Sequence, residues 1–179
     1  MNKKWNTVEV LRHSRHDWMN KLQLLKGNLA LGRIDRANEM IEEIIIEAKN
    51  EAKLTNLNMP ILAELLMTYN WRGTGIKLEY EVLADERNIS FVDQEIAIWC
   101  DTFLERLNKS VSIAGNHQIY LTIQLFQDDA RFFFDFNGII QDKADVEQWL
   151  GSQHNGSSRF ALSSYEIKDE ELTAVLQIL

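Results

Sequence analysis

A chain of 179 residues, 45% apolar and 26% charged, is long enough for one medium domain or two small ones around a sizeable core. Its formal charge of −8 speaks against nucleic-acid binding, which needs lysine and arginine to neutralise phosphate, and against an anionic membrane surface. No stretch reaches the ~18–20 apolar residues of a spanning helix, "MNKKWNTVEV" lacks an apolar signal core, and the single Cys100 has no internal disulfide partner. A soluble cytoplasmic protein is expected.

In chain order the pattern is first helical. Val8, Leu11, Arg15, Trp18, Leu22, Leu25 and Leu29 recur at alternating spacings of three and four, a heptad seam interrupted only by Arg15. Gly32 follows Leu31, where a helix C-terminus often takes a residue with positive φ. Asp35 then serves as N-cap of a second helix with apolar positions Ala37, Met40, Ile41, Ile44, Ile45 and Ala48. The short link makes the two helices antiparallel neighbours. One hairpin cannot bury both faces of its seam. Two hairpins about a two-fold axis form a four-helix bundle, so a homodimer through residues 5–55 is expected. The competing arrangement folds the downstream domain over the seam.

Pro60, the only proline, marks the break. Beyond it "ILAELLMTYNW" reads as a helix, and "IKLEYEV" (76–82) alternates as a half-buried strand. Asp93 is placed to cap a helix through "QEIAIWCDTFLERLNKSV". "QIYLTIQLF" and "RFFFDF" form a strand hairpin around "QDDA". A short helix at "KADVEQWL" precedes the loop "GSQHNGSS", and "RFALSSYEI" and "ELTAVLQIL" supply two further strands. The fold class is α+β: a helical hairpin at 1–57, then at 58–179 a domain of antiparallel strands with one face covered by helices.

Projected at 100° per residue, His16 falls at heptad position b, away from the seam. Arg12, Asn20 and Gln23 share its outward face, with His13 and Met19 beside it. An exposed imidazole on a rigid helix can act as a nucleophile on phosphorus, with Arg12 and Arg15 offsetting phosphate charge and Asn20 donating to a phosphoryl oxygen. Set against this, exposed helical histidines are common, and Asp17 has an ordinary i,i+4 partner in Lys21. His13 and His16 have metal-sharing spacing but no third ligand. "GSQHNGSS" places Ser157 where a phosphate loop needs lysine, and no G-x-S-x-G elbow occurs. His117 and His154 are expected to be solvated loop residues.

"SRHDWMNKLQLLKGNLAL" (14–31) followed by "GRIDRANEMIEEI" resembles the helical hairpin of the sporulation initiation phosphotransferase B family of phosphorelay proteins. Its H-[DE]-x-x-N-x-L pattern with a following G-x-L is also similar to the dimerisation hairpin of citrate-type sensor histidine kinases. The resemblance continues through "EAKLTNLNMPILA" and "KLEYEVL". It implies an enzyme of sporulation initiation that takes a phosphoryl group from the aspartate of one response regulator onto His16 and passes it to the aspartate of a second. Asp17 matches an acidic residue implicated in activating the imidazole, and Asn20 a residue that meets the partner's active site. The divalent cation, magnesium, belongs to the regulator's acidic pocket, so no cofactor or metal is assigned to this chain.

The second domain resembles a degenerate histidine-kinase ATPase domain. Asn108 in "LERLNKSV" is similar to its magnesium-helix asparagine, and "FDFNGII" (134–140) to its D-x-G-x-G turn, of which only Gly138 remains. No G-x-G-L-G-L lid is present, and Asp135 reads as a strand-end residue. ATP binding, and with it an active sensor kinase, is not expected. The domain reads as scaffold and partner surface. The alternative function is a non-catalytic dimeric adaptor that sequesters response regulators.

Overall fold

The computed structural model describes residues 5–112, 115–153 and 159–179. His154 and most of the "GSQHNGSS" loop lie outside them. The chain divides into two compact units, Met1–Lys49 and Asn50–Leu179. Among the described residues no helix is long and apolar enough to cross a membrane.

The first unit is the expected helical hairpin. Helix α1 (Thr7–Ala30) opens with a capping box: Asn6 Oδ1 accepts from the Glu9 amide at 3.0 Å, while Glu9 Oε2 accepts from the Asn6 amide at 3.2 Å. It ends as the glycine predicts. Gly32 has φ +69, its amide donates to the Leu29 carbonyl at 3.0 Å, and Arg33 N–H reaches the Asn28 carbonyl at 2.9 Å. Helix α2 (Ile34–Asn56) starts two residues earlier than expected, which corrects the role of Asp35. The Ala37 amide bonds to the Arg33 carbonyl, so Arg33 holds the cap position and Asp35 sits in the first turn, at the positive end of the helix dipole.

The hairpin closes on a stripe other than the leucine seam. α2 buries Ala37 and Met40. From α1 the half-buried residues include Val10, Ser14, Asp17, Lys21, Leu25 and Asn28, also at helical spacing. Lys21 pairs with Glu47, and Asn28 Nδ2 lies 3.3 Å from Met40 Sδ, tying this stripe to α2. Val8, Leu11, Trp18, Leu22 and Leu29 remain exposed, as do Ile34, Ile41 and Ile45 of α2. A two-helix unit has only one interior, so a second apolar stripe is left over.

The second unit begins with the end of α2, whose Leu54 joins Leu57 in the core. Its elements are α3 (Pro60–Thr68), β1 (Ile76–Asp85), α4 (Asp93–Ser110), β2 (His117–Leu125), β3 (Ala130–Asn137), α5 (Lys143–Ser152), β4 (Phe160–Ile167) and β5 (Glu171–Ile178). The sheet order is β1-β2-β3-β5-β4. Three neighbouring pairs are antiparallel, in line with the several antiparallel strands expected, and β1 and β2 run parallel, a pairing the strand pattern leaves open. The reason is connectivity: α4 lies between β1 and β2, the crossover a parallel pair requires. Inward residues alternate with outward ones, and α3, α4 and α5 cover the inner face. Trp99, Phe103, Phe134 and Trp149 form its aromatic centre, with ring centroids 5.2–6.0 Å apart. The edge strands β1 and β4 each shift register once, at Val82/Ala84 and at Leu162/Ser164. Lys53 Nζ donates to the Val82 carbonyl at the first shift, and Ser163 Oγ to the Val175 carbonyl at the second.

Asp93 caps a different helix from the one expected. It is the first residue of α4, yet its buried carboxylate accepts from the amides of Ile61 at 3.0 Å and Leu62 at 2.9 Å. Those are orphan donors of α3, whose own N-cap position, Met59, has no polar side chain to offer.

Candidate functional site

On a helix with 100° between residues, the stripe facing α2 lies roughly 135° to one side of His16 and the leucine seam roughly 135° to the other. His16 therefore points down the middle of the arc that neither packing face uses. Its side chain is 71% exposed, and that of Asp17 45%. Glu9, Arg12, Asn20 and Gln23 lie on the same arc, one or two turns away.

The imidazole is held on one nitrogen only. His16 Nδ1 lies 3.3 Å from Asp17 Oδ1 and 3.3 Å from Asn20 Nδ2. A carboxylate can only accept, so Asp17 favours the tautomer with the proton on Nδ1; Asn20 Nδ2, a donor, faces the same nitrogen and suits that tautomer only with its amide turned over so that Oδ1 accepts. Among the described residues Nε2 has no partner, and in the Nδ1–H tautomer it carries the free lone pair. The backbone direction of residue i+1 alone would aim Asp17 away from His16, but the side chain turns back to reach it. Lys21 is engaged by Glu47 and lies 5.6 Å from the Trp18 ring centroid.

The other candidates have structural occupations. His13 meets the Trp5 ring edge-on, with centroids 5.0 Å apart. His117 corrects its expectation of a solvated loop residue: it opens β2, is buried, and its Nε2 lies 2.8 Å from the Ser112 carbonyl. Its place in the alternation with Ile119 and Leu121 was the available signal. Gly138 has φ +152, and a Cβ there would fall 2.3 Å from His117 Nδ1, so packing alone requires that glycine. Asn108 Oδ1 accepts from the Gly75 amide at 2.9 Å, fixing the approach to β1. Asp135 is exposed within β3, opposite Tyr120 and Thr173. Cys100 is buried, and burial pushes its thiol well above the usual range. A shallow cavity of about 430 Å³ between α4 and α5 is lined by Glu105, Lys109, Asp142 and the paired Arg106 and Asp145. Among the described residues no group of three or more His, Cys, Asp and Glu is placed to hold a metal ion.

Two family models cover the chain. "Sensor kinase SpoOB-type, alpha-helical domain" matches residues 1–57, and "Sporulation initiation phospho-transferase B, C-terminal" matches 58–179. The sporulation initiation phosphotransferase B of Bacillus subtilis (strain 168) is 39% identical over 164 residues, spanning 89% of this chain and 85% of that one. Among solved structures, the catalytic domain of the histidine kinase ThkA is 11% identical with a TM-score of 0.47, over 70% of this chain and 91% of its own. A bacterial phosphotransferase is 13% identical with a TM-score of 0.42, over 97% of this chain and 98% of its own.

Proposed function

The chain belongs to the sporulation initiation phosphotransferase B family, and from that premise we propose that it is a phosphorelay phosphotransferase acting through His16. The observation that carries the reading is the His16 side chain itself: exposed on a rigid helix, engaged at Nδ1, and open at Nε2.

The Nε2 lone pair attacks the phosphorus of an aspartyl phosphate on one response regulator. The N–P bond forms, the acyl P–O bond breaks, and the carboxylate leaves with the electron pair. The ring is now a phosphoimidazolium with its proton on Nδ1, next to the Asp17 carboxylate. In the second half-reaction the carboxylate of another regulator attacks the same phosphorus, and neutral His16 is restored. Phosphoryl transfer asks the protein chiefly for in-line positioning and charge stabilisation. The helix supplies the first. Asp17 supplies the second on the imidazolium side, and Asn20 holds the ring and reaches toward the docked partner.

The exposed seam of Val8, Leu11, Trp18, Leu22 and Leu29 supports a homodimer whose two hairpins form a four-helix bundle. The hairpin of residues 1–57 carries the chemistry, and residues 58–179 serve as scaffold and partner surface. Magnesium belongs to the regulator's acidic pocket, and the chain acts in the cytoplasm. The adaptor reading predicts regulator binding without transfer.

The test mixes the purified protein with a phosphorylated donor regulator in the absence of ATP. The expected result is an acid-labile, alkali-stable label on the wild-type chain that His16→Ala abolishes while regulator binding persists. A stable complex without label would overturn the phosphotransferase and leave the adaptor.

A further inference from the structure

The spacing of Asp17 and Lys21 favours an i,i+4 ion pair in the better of its two orientations, acid before base. The structure makes a different choice. Lys21 crosses the hairpin to the Glu47 carboxylate of α2, and the Trp18 ring lies 5.6 Å from its ammonium. Asp17 Oδ1 lies instead 3.3 Å from His16 Nδ1. Charge links the two observations. An Asp17 carboxylate that shared Lys21 would turn toward the ammonium, and its hold on the imidazole would weaken. The Lys21 side chain is only 30% exposed, so the ammonium lies against the hairpin, within reach of both helices. One turn back on α2, Glu43 is held by Arg36 at 3.0 Å, as is Glu39. A Lys21 released from Glu47 therefore meets a committed carboxylate on α2 and Asp17 on its own helix.

We propose that Glu47 is a positioning residue for His16: by taking up Lys21 it keeps Asp17 on Nδ1, which holds the ring proton there and leaves Nε2 as the nucleophilic nitrogen. Glu47 touches neither the imidazole nor a reacting atom. It acts through Lys21 and Asp17 in turn, as the outer member of a relay of charges that ends on the ring. The other charges near the ring are Glu9 and Arg12 on its arc and Arg15 beside it. All three belong to α1, so a substitution on α2 leaves them in place. The proposal rests on the phosphotransfer reading for what the tautomer is used for, and not for the tautomer itself.

The experiment compares Glu47→Gln, Lys21→Met and the double variant in the full chain. All three break the Lys21–Glu47 pair, but only Glu47→Gln leaves an ammonium without its carboxylate. The first readout is the His16 tautomer, from the nitrogen-15 shifts of labelled imidazole in alkaline buffer, with His16→Ala assigning the signals. Wild type and Lys21→Met should carry the proton mainly on Nδ1. Glu47→Gln should move the tautomer ratio about two- to fivefold toward Nε2–H, the range of an exposed ion pair, and the double variant should restore it. The second readout is the share of label on His16 at equilibrium with a phosphorylated donor regulator, which should fall by a similar factor in Glu47→Gln alone. A tie that merely braces the hairpin would lower Tm alike in all three variants and leave the ratio unchanged. That result would overturn the proposal, as would a Glu47→Gln ring indistinguishable from that of Lys21→Met, or a wild-type ring carried mainly as Nε2–H. The expected tautomer pattern with no label on wild type would sustain the role of Glu47 and overturn the phosphotransfer reading.

Discussion

Removing the charge of Asp17 while keeping its shape should drain the phosphohistidine state. Asp17→Asn preserves volume and the hydrogen-bond acceptor and deletes only the negative charge. With Oδ1 3.3 Å from Nδ1, a carboxylate and an imidazolium attract by about 1.3 kcal/mol at the dielectric of water. Exposed ion pairs deliver about 0.2–1 kcal/mol in practice, and a docked regulator that excludes water moves the value upward. Because phosphorylation of Nε2 makes the Nδ1–H ring cationic, this energy favours the product of the first half-reaction. The equilibrium share of label on this chain should therefore fall about three- to tenfold relative to the regulator. The assay lets labelled donor regulator and protein reach equilibrium at low and high salt, then separates them. Wild type should lose part of its advantage as salt rises, and Asp17→Asn should be nearly indifferent to it. An unchanged partition at low salt, with unchanged thermal melting, would refute the charge-stabilising role and make the contact incidental.

Leu22→Glu places two like charges at the leucine seam of the expected bundle. Losing one buried leucine per copy weakens the dimer by a factor on the order of 10³, so sedimentation should find monomer where wild type sediments as dimer. An unchanged dimer would move the interface elsewhere. Asp93→Ala leaves the amides of Ile61 and Leu62 unpaired at the start of α3, and should destabilise the second unit by about 2–4 kcal/mol in urea unfolding. A change below about 0.5 kcal/mol would mean that water replaces the cap.

What the sequence disclosed and what it withheld follow from the range of each interaction. Spacing along one helix is local, so the exposure of His16 and the turn at Gly32 could be read directly. The strands were legible because their inward residues alternate. Strand direction is not, since alternation is the same for parallel and antiparallel neighbours, and nothing in the pattern of β1 marks it as parallel to β2. The position of Asp93 points to its own helix, because its acceptor role at α3 joins residues some thirty positions apart. The leucine seam was found, yet the hairpin closes on the mixed stripe of Val10, Ser14, Asp17 and Lys21. Apolar periodicity marks what must be buried somewhere, not which burial comes first. The Asp17–His16 contact depends on side-chain torsions, which a helical projection does not contain.

The two register shifts on β1 and β4 bear on what this protein does not assemble into. An open five-stranded sheet offers two rows of unsatisfied backbone groups, and another strand can extend either. Here each border is bent by one extra residue, Leu83 on one side and Ser163 on the other. The ammonium of Lys53 also occupies the Val82 carbonyl at the first bend, and the Ser163 hydroxyl holds the second bend to the Val175 carbonyl of β5. Filament growth through the sheet is thereby discouraged at both ends. A sheet that ends in bent borders on both sides is thus a poor template for a further strand, whatever packs against the leucine seam.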